Sequence, residues 1–243
     1  GNIDVEGEFI PKVNPVSFST DSWETIATVV REGNISKYNV GDTKTIDMGS
    51  YGTHTLRIAN KSTPSECSGT GFSQTACGFV LEFADIITTR QMNDTRTNDG
   101  GWPASNMYAF VNNDIYNALP SELRNAIIDT TVVSGHGKSD TENFTSTDKL
   151  YLLAPKEIYT DWSSSYDTAK DLTRTLDYYT SIGVTISNYS GAIKKNGTSA
   201  STWWFRVASS YNYYDFYDVT STGDYINSDA RNVNGVSPAF RIG

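Results

Sequence analysis

Tyrosine, asparagine, serine and aspartate dominate one stretch near the C-terminus. Residues 209–234 contain five Tyr, four Asn, four Ser and four Asp. A tyrosine ring offers a large, rigid contact area with a polar tip, and small polar side chains add adaptable hydrogen bonds, a combination that antibody loops use against unrelated targets. The composition therefore predicts a ligand-binding surface. An ordinary exposed hairpin is the alternative, because tyrosine and threonine favour strands while Asn, Asp and Gly favour turns.

The predicted contact residues all lie within this segment. Tyrosines are expected to act as anchors and the other residues as hydrogen-bonding partners. The predicted set is Tyr211, Asn212, Tyr213, Tyr214, Asp215, Tyr217, Asp218, Tyr225, Asn227, Ser228, Asp229, Arg231 and Asn232. Apolar residues flank the segment, with Trp203-Trp204-Phe205 before it and 236–242 after it. We therefore expect a hydrophobic frame, with at least one of the two tryptophan rings in the core, to hold a polar, aromatic insert.

Residues suited to acid–base catalysis are scarce. Histidine supplies most general bases near neutral pH, and the sequence has only His54 and His136. The sequence contains no Gly-X-Ser-X-Gly motif, no histidine pair with metal-ligand spacing and no phosphate-binding glycine loop. We therefore predict a protein that is not an enzyme, with no catalytic residue, no metal site and no cofactor. Two carboxylates could still meet from distant positions, so a glycosidase remains an alternative.

A fixed carbohydrate-binding module is another alternative. Asp215, Asp218, Asp224 and Asp229 are spaced around the predicted C-terminal hairpin. Carboxylate and carbonyl oxygens are the ligands that calcium prefers, so a calcium-dependent sugar site is conceivable there.

The charge balance argues against two classes of partner. The sequence has 19 basic and 28 acidic residues, for a formal net charge of −9. An acidic surface repels the phosphates of nucleic acid and anionic lipid headgroups. The sequence also contains no run of about 18 apolar residues that could form a transmembrane helix. We expect no nucleic-acid binding and no membrane insertion by this chain.

Cys67 and Cys77 are the only cysteines, and a Gly- and Ser-rich stretch separates them. A local disulfide is favoured over two free thiols, because two cysteines alone cannot complete a tetrahedral zinc site. Only 19% of the residues are charged, and Tyr, Ser, Thr and Asn are abundant. This composition is typical of an exported protein.

The secondary-structure pattern predicts one α+β domain over residues 21–243, preceded by an extended lead-in or linker over 1–20. Helices are predicted over 23–32, 104–112 and 171–182, with a single turn at 115–119 and a further helix that Ser121 caps. Strands are predicted over 44–48, 53–58, 79–83, 130–133, 149–153, 202–208, 216–220, 224–226 and 237–242.

A collinear series of short motifs covers the sequence from about residue 21 to the C-terminus. Its members are Asp21-Ser22-Trp23-Glu24, Asn39-Val40-Gly41-Asp42-Thr43-Lys44, Thr89-Arg90-Gln91-Met92-Asn93, Gly101-Trp102-Pro103-Ala104-Ser105-Asn106-Met107, Tyr116-Asn117-Ala118-Leu119-Pro120, Thr147-Asp148-Lys149-Leu150-Tyr151-Leu152-Leu153, Trp203-Trp204-Phe205-Arg206 and Gly235-Val236-Ser237-Pro238-Ala239-Phe240. The series resembles a family of bacterial and prophage surface proteins whose members are similar to C-type-lectin-fold proteins. Some of those proteins are variable proteins of diversity-generating retroelements.

This resemblance implies a fold, a location and a function. The fold would be C-type-lectin-like, similar to formylglycine-generating enzymes, with small twisted antiparallel sheets and packed helices. The location would be extracellular, on a bacterial cell surface or a phage particle. In such variable proteins, copying errors at template adenines randomise a C-terminal stretch that binds a ligand or receptor. The segment 209–234 would be that hypervariable surface, and its partner would be a protein or glycan ligand on another cell or surface.

The composition of the segment is compatible with adenine randomisation. Randomising the adenines of an AAC-type codon never yields Lys, Glu, Gln, Met or Trp, and residues 209–234 contain none of these five types although the rest of the chain uses all of them. Formylglycine-generating enzymes, which share the implied fold, supply a second enzyme alternative. Their chemistry needs a pair of thiols at the site, whereas Cys67 and Cys77 lie far in sequence from the C-terminal frame.

Overall fold

The computed structural model describes residues 11–243, so the first half of the expected lead-in lies outside the described residues. Two five-stranded sheets, two additional hairpins and short helices make this an α+β protein, as the sequence predicts. Most of the longer strand pairs are antiparallel, and the sheets are curled.

The helices are short and the strands are numerous. The helices are α1 (Trp23–Arg31), α2 (Gly101–Ala104), α3 (Asn106–Phe110), α4 (Tyr116–Ala118), α5 (Ser121–Ala126), α6 (Pro155–Ile158) and α7 (Asp177–Ser181). The strands are β1 (Thr43–Asp47), β2 (Thr53–Asn60), β3 (Val80–Phe83), β4 (Thr88–Arg90), β5 (Ile127–Ile128), β6 (Thr130–Ser134), β7 (Phe144–Asp148), β8 (Lys194–Asn196), β9 (Ser199–Ser201), β10 (Trp203–Ala208), β11 (Asp215–Val219), β12 (Tyr225–Asp229), β13 (Asn234–Val236) and β14 (Ala239–Ile242).

The C-terminal end of the chain joins the two large sheets. The first sheet has the order β1-β2-β3-β14-β5, and the second has the order β12-β11-β10-β13-β4. Consecutive strands β13 and β14 therefore belong to different sheets. Between them, Ser237 Oγ lies 3.1 Å from the carbonyl oxygen of Phe83 and 3.0 Å from that of Asp85, and it accepts a 2.8 Å hydrogen bond from Lys194 Nζ. These bonds fix the crossover, so the sheet that carries the C-terminal segment is tied to the rest of the core.

The expected hydrophobic frame is present. Trp203 and Trp204 are both fully buried although adjacent strand residues face opposite sides of a sheet. Trp203 Nε1 donates to the carbonyl of Ala192 at 3.1 Å, and Trp204 Nε1 donates to that of Arg90 at 2.9 Å. Both faces of β10 are therefore covered, and both indole N–H groups have partners.

A buried ion pair connects β10 to α6. Two guanidinium nitrogens of Arg206 donate to the two carboxylate oxygens of Glu157, each at 2.8 Å, and both side chains are fully buried. Arg206 also donates to the carbonyls of Leu152 and Val133. Because a buried ion pair needs such additional hydrogen bonds to offset desolvation, this cluster fixes the start of the C-terminal segment to three other parts of the chain.

Several predicted elements agree with the structure and others do not. Helix α1, the β1–β2 hairpin and the Cys67–Cys77 disulfide are all present. The predicted helix 171–182 is wrong over residues 171–176, and only Asp177–Ser181 is helical. The predicted helix 104–112 is interrupted, since α2 ends at Ala104 and Ser105 caps α3 by accepting the N–H of Tyr108 at 3.0 Å. Helix α5 begins at Ser121 itself, after Pro120, so Ser121 does not cap it.

The predicted strand 149–153 does not form. This stretch makes a single bridge, between Tyr151 and Ala239, and the strand that pairs with β6 is β7 instead. Side chains satisfy the backbone here: Asn112 accepts from the N–H groups of Lys149 and Leu150, and its amide donates to the carbonyl of Leu150. A buried apolar run can therefore remain irregular.

Candidate ligand-binding surface

Segment 209–234 forms a loop followed by the β11–β12 hairpin and the turn into β13. The hairpin turn needs glycine at position 223. The φ angle of Gly223 is +94°, and a Cβ there would lie 2.1 Å from the carbonyl oxygen of Tyr189. Tyr159 also donates its hydroxyl to the carbonyl of Gly223 at 2.7 Å. Main-chain packing therefore fixes the far end of the hairpin.

Asn98, which lies outside the segment, holds the loop at 209–215. Its side-chain amide nitrogen lies 3.1 Å from the carbonyl oxygens of Ser209 and Asn212 and 2.9 Å from that of Asp215. Two amide protons therefore serve three main-chain acceptors. Asn98 is fully buried, and a Cβ at Gly137 would lie 2.2 Å from its side-chain oxygen, so the pocket that holds it is tight.

Further main-chain bonds anchor the loop and the hairpin. The N–H of Asn98 donates to the carbonyl of Tyr213 at 2.9 Å, and the N–H of Lys138 donates to that of Asn212 at 3.2 Å. The N–H of Ser210 bonds to the carbonyl of Tyr166, and the N–H of Asn93 bonds to that of Ala230. None of these bonds uses a side chain of the segment. These anchors therefore do not depend on which side chains the exposed positions of the segment carry.

Four of the predicted contact residues are well exposed. Tyr211 and Tyr213 have 60% and 52% of their surfaces exposed, and Arg231 and Asn232 are also exposed. Tyr211 meets Tyr166 edge to face, with ring centroids 5.0 Å apart. Six further predicted residues are half-buried: Tyr214, Asp215, Tyr225, Asn227, Ser228 and Asp229. Ten of the predicted residues are thus exposed or half-buried on the C-terminal loop and hairpin.

The other three predicted contact residues are buried, and their burial corrects the sequence-based expectation of exposure. Asn212 shapes the loop by accepting the N–H groups of Tyr214 and Asp215 at 3.0 and 2.8 Å. Asp218 is fully buried in β11 and accepts from Asn234 at 2.9 Å. Tyr217 is 2% exposed, with its hydroxyl 2.8 Å from Ser164 Oγ. These side chains support the surface from below.

Two arginines surround Asp229 at one side of the surface. Arg96 donates to the Asp229 carboxylate at 2.8 Å while its guanidinium lies 3.5 Å from the centroid of the Tyr214 ring. Arg231 donates to the same carboxylate at 3.1 Å. Hydrogen bonds from Arg231, and then from Arg96, hold the pKa of Asp229 well below its usual range. The carboxylate therefore stays ionised; it bonds to both arginines and helps to hold Arg96 over the Tyr214 ring.

A groove of about 420 Å³ lies beside β12. Its lining comes partly from the hairpin and partly from a stretch that the sequence analysis did not identify as part of the site. The lining residues are Trp162, Ser163, Ser164, Ser165, Tyr166, Ile186, Tyr217, Tyr225, Ile226 and Asn227. Residues 162–166 resemble the C-terminal segment in composition, since two aromatic residues flank three serines. This composition is the feature of the sequence that indicates their place in the surface.

The aromatic rings below the groove pack edge to face. The ring of Trp162 lies 5.3 Å from that of Tyr217 and 4.5 Å from that of Tyr225. Trp162 Nε1 donates to the buried carboxylate of Asp167 at 3.0 Å. Burial raises the pKa of Asp167 to about 6. The groove therefore has a firm aromatic base held by hydrogen bonds.

The four aspartates considered for calcium do not converge. Asp229 bonds to Arg96 and Arg231. Asp218 lies on the opposite face of the hairpin from Asp229, because Asp229 pairs with Asp215, which is three residues from Asp218 in β11. Across residues 11–243, no cluster of three His, Cys, Asp or Glu side chains could hold a metal ion. In the same part of the chain, no helix has the length and apolar character needed to cross a membrane.

Comparison with known proteins gives a family but no named relative. Neither the curated proteins nor the solved structures include a significant match to the chain. Residues 79–243 match the model of a family described as "Domain of unknown function (DUF6273)". The matched region is more than half of the chain, and it contains Asn98, residues 162–166 and the whole C-terminal segment. This chain therefore belongs to the DUF6273 family.

Proposed function

We propose that this protein recognises a protein or glycan ligand through the surface formed by residues 209–234. The observation that carries the proposal is the main-chain anchoring of the segment. Asn98 bonds to three carbonyls of the loop, and Tyr166, Asn93 and Lys138 bond to its backbone at other points. Side chains that point outward from such a backbone can change without loss of the loop's shape.

The chemistry of the exposed side chains supports recognition. Tyr211 and Tyr213 present large rings to solvent, and Tyr214 is stacked under the Arg96 guanidinium. Tyrosine and arginine are the residue types that most often dominate binding energy at protein interfaces. Because the segment also lacks the five residue types that adenine randomisation cannot produce, we propose that it is the hypervariable part of a diversity-generating-retroelement protein.

The fold and the location belong to the same proposal. Curled antiparallel sheets with short packed helices, and a C-terminal hairpin presented at the surface, are compatible with a C-type-lectin-like scaffold. A display surface of this kind suits an extracellular protein on a bacterial cell or a phage particle. Cys67–Cys77 is consistent with that location, because disulfides persist in oxidising compartments.

A fixed carbohydrate-binding module is the second candidate. The groove beside β12 favours it, since aromatic rings, serine hydroxyls and the Asn227 amide can contact the apolar faces and hydroxyl groups of a sugar. In this alternative the side chains of the exposed loop would not vary, and binding would depend on the groove alone.

A randomised library tests the first candidate. We would randomise Tyr211, Tyr213, Arg231 and Asn232 together, display the variants, and select for binding to streptavidin as an arbitrary protein target. A matched library would randomise the buried positions Asn212, Phe216, Tyr217 and Asp218. The proposal expects folded binders from the first library and few folded clones from the second. Failure of the first library to yield folded binders would contradict it.

A further inference from the structure

Strand β12 (Tyr225–Asp229) has an open edge. It is the terminal strand of its sheet, and its inner side pairs with β11. Two backbone hydrogen bonds at the ends of the β11–β12 pair show which residues of β12 face β11. The N–H of Thr220 donates to the carbonyl of Asp224, and the N–H of Ala230 donates to the carbonyl of Tyr214. In an antiparallel pair, alternate residues direct their backbone groups towards the partner strand. Ile226 and Ser228 therefore face β11, and the residues between them face outward.

Asn227 is the centre of this open edge. Its backbone N–H and C=O point away from β11, as do the C=O of Tyr225 and the N–H of Asp229. The ends of the edge are closed, because the N–H of Tyr225 bonds to the Asp224 side chain and the C=O of Asp229 accepts from the N–H of Asn232, each at 2.8 Å. Within residues 11–243, the outward backbone groups between these ends bond to no other main-chain group.

The groove beside β12 follows this edge. Three consecutive residues of the strand, Tyr225, Ile226 and Asn227, line it. Because successive side chains point to opposite faces of a sheet, a groove that touches all three must run along the edge of the strand. Residues 163–166, three serines and Tyr166, also line it.

The lining is uncharged, in a chain with a net charge of −9. No Asp, Glu, Lys or Arg belongs to the groove lining among the described residues. Trp162, Tyr217 and Tyr225 give it an aromatic base, and Ile186 adds an aliphatic wall. Charge complementarity therefore favours an uncharged aromatic or aliphatic group as the occupant.

The edge also lacks three of the features that protect natural sheets against strand pairing. Natural sheets block their edges with lysine, proline or a bulge. Strand β12 has the sequence Tyr-Ile-Asn-Ser-Asp and pairs with β11 in unbroken register. Outward N–H and C=O groups that alternate at the strand repeat match the backbone of another extended polypeptide better than the hydroxyls of a sugar.

We propose that an extended peptide segment of the ligand adds to β12 as a new strand and places an uncharged side chain in the groove. A segment of about five residues satisfies the outward groups of Tyr225, Asn227 and Asp229. This inference rests on the proposed function, because the groove adjoins the exposed tyrosines. The backbone pairing supplies binding common to all side-chain variants, and residues such as Tyr211 and Tyr213 supply selectivity.

An N-methyl scan of a bound peptide tests the pairing. A phage-displayed library of random linear peptides is selected against the full chain, and enriched peptides are synthesised with one backbone amide methylated at a time. Calorimetry should show at least tenfold weaker binding when the methylated amide belongs to every second residue of the peptide. Methylation of the amides between these should leave the affinity nearly unchanged. Equal tolerance at all positions, or no peptide enriched above background, would overturn the inference. Binding of a neutral oligosaccharide on a glycan array without any peptide binding would also overturn it and assign the groove to sugars.

A pair of variants tests the same edge from the protein side. Asn227→Pro removes the outward N–H without removing a bond to β11, and Asn227→Ala removes the side chain but keeps the N–H. The enriched peptides should bind Asn227→Pro at least tenfold more weakly than Asn227→Ala; equal affinity would contradict the pairing. If Asn227→Pro fails to fold, the N-methyl scan on the unaltered protein still tests the pairing. If the library at Tyr211, Tyr213, Arg231 and Asn232 yields no folded binders but N-methylation weakens binding at alternate peptide residues, the proposed function is overturned and the strand pairing is not.

Discussion

The side-chain amide of Asn98 donates a 2.9 Å hydrogen bond to the backbone carbonyl of Asp215, 117 positions later in the sequence. The same nitrogen reaches the carbonyls of Ser209 and Asn212. One buried side chain therefore closes the loop that presents Tyr211 and Tyr213. Because the acceptors belong to the main chain, these bonds do not depend on the exposed side chains of the loop, such as those of Tyr211 and Tyr213.

Replacement of Asn98 should unfold the loop and destabilise the protein. Asn98→Asp keeps the volume but removes both donors, and it places a carboxylate among three carbonyls. We expect the free energy of unfolding to fall by about 3 kcal/mol, since each lost bond to a buried acceptor costs on the order of 1 kcal/mol or more. Urea unfolding measures the change. The control is Asn113→Asp, an exposed amide with a single carbonyl partner, which should change stability by less than about 0.5 kcal/mol. Equal effects of the two variants would contradict the role of Asn98.

Tyrosines of the segment should divide into two groups by their effect on stability. Tyr211→Ser and Tyr213→Ser remove exposed rings, so each should change the free energy of unfolding by no more than about 0.5 kcal/mol. Tyr217→Ser removes a buried ring that packs against Trp162, and it should cost about 3 kcal/mol. Thermal and urea unfolding check both values. Large losses at Tyr211 and Tyr213 would show that those rings belong to the core.

Burial of Asp218 should make stability depend on pH. Burial raises the pKa of Asp218 to about 7, whereas an aspartate in the unfolded chain titrates near 3.9. At a pH between these two pKa values the folded protein binds more protons than the unfolded chain. The free energy of unfolding therefore falls as the pH rises from about 4 to about 7. Asp148 and Asp167 act in the same direction, because burial raises the pKa of each to about 6.

The variant Asp218→Asn isolates the contribution of Asp218. It should be more stable than the unaltered protein at about pH 8, by on the order of 3 kcal/mol, and the difference should shrink towards about pH 4. Urea unfolding across this range gives both curves. A difference that is independent of pH would contradict the raised pKa of Asp218.

Loss of the Glu157 charge should destabilise the frame that holds the segment. Glu157→Gln leaves the Arg206 guanidinium buried without a counter-ion, which should cost about 3 to 5 kcal/mol. The exposed pair Lys149–Asp129 provides the control, and Asp129→Asn should cost less than about 1 kcal/mol. Similar losses in the two variants would show that the buried pair has no special role.

The local sequence pattern predicts much of this fold. It fails where side chains from distant positions, and not a neighbouring strand, bond to the backbone. Alternating polar and apolar residues correctly indicate the β1–β2 hairpin, and the spacing of Cys67 and Cys77 indicates their disulfide. The run at 149–153 resembles a strand, but Asn112 and Arg206 take its backbone groups instead. No periodicity in the sequence contains that information.

The same limit applies to the candidate surface. Composition locates the segment and its exposed tyrosines, but it does not reveal that both faces of β11 are covered. Tyr217 is buried because Trp162 and Ser164, more than fifty positions earlier, pack over it. Asp218 lies on the other face, where Asn234 bonds to it. Which tyrosines and aspartates are exposed therefore depends on long-range packing.

A crystal structure of a variant tests most directly the central claim, that the main chain fixes the shape of the surface. The variant would change the four exposed residues of the predicted contact set, Tyr211, Tyr213, Arg231 and Asn232, to serine. The account predicts that the Cα atoms of residues 209–234 stay within about 1 Å of their present positions and that the Asn98 hydrogen bonds remain. Displacement of the loop by more than about 2 Å, or loss of the bonds to Asn98, would contradict it.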